Sequence, residues 1–325
     1  MASIGYHASH EQFKPSELLR YASLAAQHGF TFINSSDHFH PWSKRQGQSG
    51  FSFAWLGAAM YAVPLPFGVV CSPGQRYHPA IVAQAAATIA EMFPDRFWIS
   101  VGSGEALNER ITGEKWPAKA ERNERLKTSV DIIRSLFRGE TVTHHGVVNI
   151  EEAKLYTLPL SPPPIIGAAV TAETAEWMGN WADGLITVSA PLPDLQKVVD
   201  AFYRGGGKNK PMYLKVQLSY DKTEEGAMRG AYDQWRTNIF AGTVLADLWK
   251  VEQFDALGEM VQPHELTKMI NISPDLDVHA NHIKNYIDMG FEKIVLHNVN
   301  REQELFIEDF GRYILPKLNA SQNKM

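Results

Sequence analysis

The chain has 325 residues, 44% hydrophobic and 21% charged, with a formal net charge of −5. That is the composition of an ordinary globular protein, and it offers no basic stripe to neutralise nucleic-acid phosphates. The single cysteine, Cys71, excludes an intrachain disulfide and a multi-cysteine zinc site.

Short β-like runs alternate with helical stretches, the pattern of a parallel sheet covered by helices. Met1–Gly5 has neither a charged leader nor a long apolar core, so no signal peptide is expected. Residues 2–6 read as a first strand, and a helix runs from Pro15 to His28 with Gly29 as its stop. Residues 30–35 give a second strand and 51–61 a helix; 67–71 a third strand and 79–92 a helix. Residues 97–101 are a fourth strand, followed after a long loop by a helix over 122–137. Strands at 165–168, 184–188, 212–220 and 293–297 complete eight βα units, which favours a single (β/α)8 barrel domain over residues 1–325 rather than an open sheet. Two stretches exceed a minimal barrel. Residues 141–156 read as a hairpin with His144 and His145 near its turn, and 243–261 as a partly helical insertion before the eighth strand. No run approaches ~18 uninterrupted apolar residues, so a cytoplasmic protein acting on a small molecule is expected, without membrane or nucleic acid.

The chemistry-bearing residues gather where strands end, as they do in such barrels. Asp37-His38-Phe39-His40-Pro41-Trp42 follows the second strand and joins a proton-transfer group to a flat apolar surface. Gly102-Ser103-Gly104-Glu105 and Asn108 follow the fourth, where two glycines let a ligand approach the backbone. A dinucleotide fingerprint is the competitor there, but its third glycine is missing. The third loop, Cys71 to Pro79, carries Arg76, and Gly167-Ala168-Ala169 leads into a helix after the fifth strand. Each loop alone also reads as plain turn chemistry. His38 and His40, spaced like a metal-binding pair, lack the further histidines and aspartate of a metal hydrolase, so no metal is assigned.

Taken together, Ser36–Trp42, Arg76–Ala80, Val101–Glu109 and Ala182–Gly184 resemble the bacterial-luciferase-like superfamily. The resemblance spans nearly the whole chain and is strongest to its glucose-6-phosphate dehydrogenases that use coenzyme F420, a 5-deazaflavin. It implies a homodimeric (β/α)8 barrel with an isoalloxazine-type ring at the mouth. It also implies His38 as active-site acid or base, Trp42 beside the substrate and Glu105 near the ring. Asp37, Asn108 and Gly167, Ala168 and Ala169 become cofactor contacts, with a non-prolyl cis peptide at Val70–Cys71. His40, Arg76 and Trp55 are expected on the substrate side. The family's phosphate-gripping lysine falls within Val188–Leu192, which holds no cation, and its other cations align near Ala256 and Met269. Glucose 6-phosphate is therefore not expected as substrate. The pattern is most similar to a sister group, the probable non-F420 flavinoid oxidoreductases, which implies FMN as cofactor, with F420 as the alternative. The role is then monooxygenase, with a separate flavin reductase supplying reduced flavin, or dehydrogenase. A non-catalytic flavin-binding protein would need neither His38 nor Glu105.

Overall fold

Residues 2–322 are described by the computed structural model of the chain. Residues 32–36, 67–71 and 97–101 are small or apolar at nearly consecutive positions, as parallel strands covered on both faces must be. They form β2 (Phe32–Ser36), β3 (Phe67–Cys71) and β4 (Phe97–Val101) beside β1 (Ser3–Ala8). The interposed helices are α1 (Pro15–Gln27), α2 (Ser52–Ala62) and α3 (Pro79–Met92). In α1, Leu18, Tyr21, Ala22 and Ala25 are buried at helical spacing, giving one apolar stripe toward the sheet.

After β4 come α4 (Ala106–Glu109), α5 (Lys119–Phe137) and the antiparallel pair β5 (Val142–His144) and β6 (Ile150–Ala153), which is the expected hairpin. The barrel resumes with β7 (Ile165–Ala168), α6 (Ala172–Gly179), β8 (Gly184–Val188), α7 (Leu192–Phe202), β9 (Met212–Ser219) and α8 (Glu224–Trp235). The insertion supplies α9 (Gly242–Leu245), α10 (Val251–Gly258) and the two-residue β10 (Asn271–Ile272). Then α11 (Leu276–Asp288), β11 (Lys293–Asn298), α12 (Gln303–Asp309) and α13 (Leu315–Gln322) close the chain. Pairing runs β1–β2–β3–β4–β7–β8–β9–β11 and back to β1, every pair parallel: a closed eight-stranded luciferase-like barrel.

Strand alternation divides the interior into layers. At the closed end Phe32, Trp98, Ile166, Ile186, Tyr213 and Val295 pack together. They fit because β1 and β3 carry glycine there: a Cβ on Gly5 would lie 2.3 Å from the Phe32 ring, and one on Gly68 2.1 Å from Trp98. One step toward the mouth the inward residues turn polar: His7, Asn34, Ser100, Lys215 and His297. Over the mouth, α8 and the insertion form a cluster in which Trp235, Phe254, Val261, Leu266 and Ile270 pack with Trp42 and Leu107. The insertion is thus a roof with its own core, tied down where Ala106 N–H donates to the Ala246 carbonyl at 2.9 Å.

β1 runs two residues further than the sequence suggests, to Ala8, and β2 starts two later, at Phe32. Val70–Cys71 is not a cis peptide; among the described residues there is none. Regular pairing of β3 with β4 continues through Cys71 opposite Val101 and holds extended trans backbone there.

Candidate active site

His38 sits just past β2, and α4 decides how its ring is presented. Asn108 Oδ1 accepts the backbone N–H groups of Phe39 at 2.9 Å and His40 at 3.0 Å. Its amide orientation is therefore fixed, and its Nδ2 faces His38 Nδ1 at 3.1 Å. An amide nitrogen can only donate, so His38 Nδ1 accepts and the neutral ring carries its proton on Nε2. The ring lies edge-on to Trp42, with centroids 4.4 Å apart. Trp42 in turn donates Nε1–H to Glu105 Oε2 at 3.2 Å and packs edge-on against Trp235 at 5.5 Å. The three residues assigned chemistry from the sequence, His38, Trp42 and Glu105, thus form one connected group.

Two members of this group were not singled out in the sequence. Glu11, in the loop after β1, is buried and accepts Ser9 Oγ at 2.8 Å and Ser36 Oγ at 2.7 Å through Oε2. Its other oxygen has no hydrogen-bond partner and lies 3.7 Å from His38 Nδ1. Burial alone would push this carboxyl up, but His38, Lys215 and the Ser36 hydroxyl bring it below its usual range. Lys215, on the inward face of β9, places its ammonium 6.0 Å from the Trp42 ring centroid and 5.7 Å from that of Trp235. Burial lowers its pKa, opposed by Glu11 and Glu105. In the same layer, the tilted rings of His7 and His297 lie 4.5 Å apart and are held well below the usual histidine range by burial and by Lys215. A polar run of Ser9-His10-Glu11-Gln12 after an apolar strand was the available signal for Glu11.

Residues 2–293 match the model of the luciferase-like monooxygenase family. The chain belongs to this family. An F420-dependent glucose-6-phosphate dehydrogenase of Nakamurella multipartita is 36% identical, covering 97% of this chain and 96% of the relative. An F420-dependent secondary alcohol dehydrogenase, solved in complex with an F420–acetone adduct, superposes with a TM-score of 0.89 at 26% identity, covering 98% of this chain and 99% of that one. The oxygenating constituent of 3,6-diketocamphane monooxygenase from Pseudomonas putida, solved with FMN, shares the fold with a TM-score of 0.73 at 13% identity over 98% of this chain and 99% of that one.

Toward the mouth, the inward residues Val70 of β3, Gly102 just after β4 and Ala168 of β7 are all small and all partly accessible. A Cβ on Gly102 would point at the Ala168 methyl, 3.7 Å away. Small inward residues on three neighbouring strands, with His38 and Trp42 in the loop after β2, fit a planar tricyclic ring at the mouth.

Not every side chain expected there points inward, since consecutive residues of a strand point to opposite faces. Cys71 and Ala169 belong to the outer core, and a Cβ on Gly167 would meet Met178 of α6 at 2.6 Å. Of these, Val70 and Ala168 present side chains inward. Asp37 and Arg76 are engaged with each other: the guanidinium reaches Asp37 Oδ2 at 2.8 Å and Glu109 at 3.5 Å, stacks on Tyr77 and is only 6% exposed. That places Arg76 as a clamp joining the loops after β2 and β3 to α4, correcting the substrate role expected for it. Trp55 is also a correction. It lies in the main core, donates Nε1–H to the Pro15 carbonyl at 3.1 Å and meets the site through His10. His40 turns away from His38, bonds the Leu107 carbonyl at 2.9 Å, and lines a cavity of about 540 Å3 with Arg110 and Trp249. Among the described residues no group of three or more metal-ligating side chains exists.

Proposed function

We propose that this luciferase-like oxidoreductase is dependent on coenzyme F420 and acts on an oxygen-bearing carbon of a small organic substrate, as a dehydrogenase or reductase. The observation that carries this reading is the connected His38–Trp42–Glu105 group at the mouth of a chain 26% identical to an F420-dependent secondary alcohol dehydrogenase. The names of the curated relatives support the same cofactor. FMN, expected from the sister-group resemblance, has less behind it, because the FMN-bound neighbour at 13% identity shares the fold alone.

A deazaflavin, when bound, accepts or returns a hydride. The proton is handled by the chain. With Nδ1 held as an acceptor by Asn108, the neutral His38 donates Nε2–H as a hydrogen bond to a substrate carbonyl oxygen. In the other tautomer the ring carries its one proton on Nδ1, toward the unpartnered Glu11 Oε1 at 3.7 Å; Nε2 is then free to take the proton of a substrate hydroxyl, and the Glu11 carboxylate balances the imidazolium formed. Asn108 and Glu11 thus serve the two tautomers of one ring. Trp42 and the roof exclude water from this exchange, which strengthens each charge interaction.

The test is spectroscopic titration of the purified protein with F420 and with FMN, followed by addition of secondary alcohols. Saturable F420 binding with alcohol-dependent bleaching of its visible band supports the reading. Tight FMN binding with indifference to F420 replaces it with the ordinary-flavin alternative.

A further inference from the structure

Charges inside this barrel are almost all spoken for. Arg76 is held by Asp37 and Glu109, and Lys293 lies at the closed end among Phe32, Trp98 and Tyr213. Lys215 differs. Burial lowers its pKa, yet the residue keeps some accessibility. It lies beside two adjoining indole rings, and among the described residues no hydrogen-bond acceptor is paired with Nζ. An ammonium has three N–H donors and no acceptor, so this one is open to a ligand oxygen. The layer around it adds further polar atoms without a protein partner: both ring nitrogens of His7, both amide atoms of Asn34, Ser100 Oγ and His297 Nδ1. All belong to residues at most 2% exposed on inward positions of β1, β2, β4 and β11.

We propose that Lys215 is a specificity-determining residue. Its ammonium receives a substrate oxygen other than the one His38 serves, so the site takes small molecules with two oxygens on neighbouring carbons: a vicinal diol, a hydroxy ketone or a 2-hydroxy acid. The placement supports this. Trp42 contacts the His38 ring on one side and faces the Lys215 ammonium, so both polar groups address the volume bounded by that indole. At the rim, Gln217 is the next inward residue of β9 and is held by Ser189 Oγ at 2.8 Å, which fixes the wall above Lys215. A purely structural lysine, there to balance Glu11 and Glu105, would leave substrate preference unchanged when removed.

The inference rests on the proposed oxidoreductase role, and the test separates the two. Binding of 2-propanol, propane-1,2-diol and lactate is measured by saturation-transfer NMR on wild type, Lys215→Met and Lys215→Arg, each with and without F420. A charge-assisted hydrogen bond predicts that wild type prefers the diol or lactate over 2-propanol by about 10- to 100-fold. Lys215→Met loses that preference and Lys215→Arg regains part of it, all three being folded by circular dichroism. Preference for lactate alone identifies a carboxylate as the second oxygen; equal preference for the diol identifies a neutral one. Equal binding of all three probes, binding of none, or a preference that survives in Lys215→Met overturns the inference. Failure of F420 to bind removes the cofactor reading, while the cofactor-free series still decides the role of Lys215.

Discussion

Asn108 holds His38 by first being held itself: two backbone N–H groups on its Oδ1 leave only N–H to face the imidazole. The tautomer of the central histidine is therefore written in the loop that carries it. Asn108→Asp tests this. A carboxylate still accepts from Phe39 and His40 but cannot donate to Nδ1, so the ring is driven to the other tautomer. The expected result is a melting temperature within a few degrees of wild type and turnover reduced by roughly 10²-fold or more, the range of acid–base catalysis. Single-turnover oxidation of bound reduced F420 by a ketone provides the measurement, and unchanged rates would remove the assigned role of the pair.

His38→Ala should leave cofactor affinity within a few-fold and slow the same step by roughly 10²–10⁴. Glu11→Gln should cost less, about 10- to 100-fold, the worth of one charge-assisted hydrogen bond. It should do so without altering the bonds from Ser9 and Ser36 to the neighbouring oxygen. If Glu11 acts only through the imidazolium, the double variant loses no more than His38→Ala alone.

His38, Trp42, Glu105 and Asn108 are legible in sequence because they lie in the two segments directly after β2 and β4, dense in polar and aromatic groups. Glu11 is not, because β1 reads as ending at Tyr6 and the loop after it as a helix approach. Lys215 is hidden for a geometric reason. In Tyr213-Lys215-Gln217, polar residues alternate with Leu214 and Val216, which in an open sheet means a solvated face; in a closed barrel the same alternation points inward. The side chains of Cys71 and Ala169 turn to the outer core, as a Cβ on Gly167 would, since a motif names consecutive residues but strand geometry points every second side chain inward. Trp55 was assigned from residue type, and its position on α2 buries it against α1 instead.

Arg76→Met should destabilise the fold strongly, by about 3–5 kcal/mol at neutral pH, because it leaves buried carboxylates without their cation. Burial pushes Glu109 up despite the guanidinium, so without Arg76 it takes a proton more readily still. The loss should consequently be smaller at pH 5 than at pH 8, as measured by urea unfolding at both. A variant with the stability of wild type would show that the cluster is not a clamp.

Glucose 6-phosphate should neither reduce bound F420 nor protect the protein thermally. No cation stands in Val188–Leu192, and Ala256 and Met269 occupy the other expected positions. Three missing charge-assisted bonds, at about 1.5–3 kcal/mol each, leave no useful affinity. Calorimetry at millimolar sugar phosphate checks this; micromolar binding would mean that a cation outside the barrel reaches the site.

Acid should weaken this fold well before its carboxylates protonate. His7 and His297 are held well below the ordinary histidine pKa, chiefly by burial, and His10 and His279 are lowered to about 4 for the same reason. In the unfolded chain each binds a proton near pH 6.5, so below that pH the unfolded state holds more protons and stability falls. The contribution is intact above pH 6.5 and is lost as pH drops toward 4, at up to about 1.4 kcal/mol per pH unit for each histidine. His279, on α11, is bonded to the Ser273 carbonyl at 2.9 Å and faces the Asn271 amide at 3.0 Å, with no contact to the His38 group, which makes it a clean probe. His279→Gln should cost stability at pH 7.5 yet show a shallower decline between pH 6.5 and 4.5 than wild type, because one depressed titration has been removed. Melting temperatures at half-unit pH steps for both proteins measure the two slopes. Parallel curves would show that His279 titrates alike in the folded and unfolded chain.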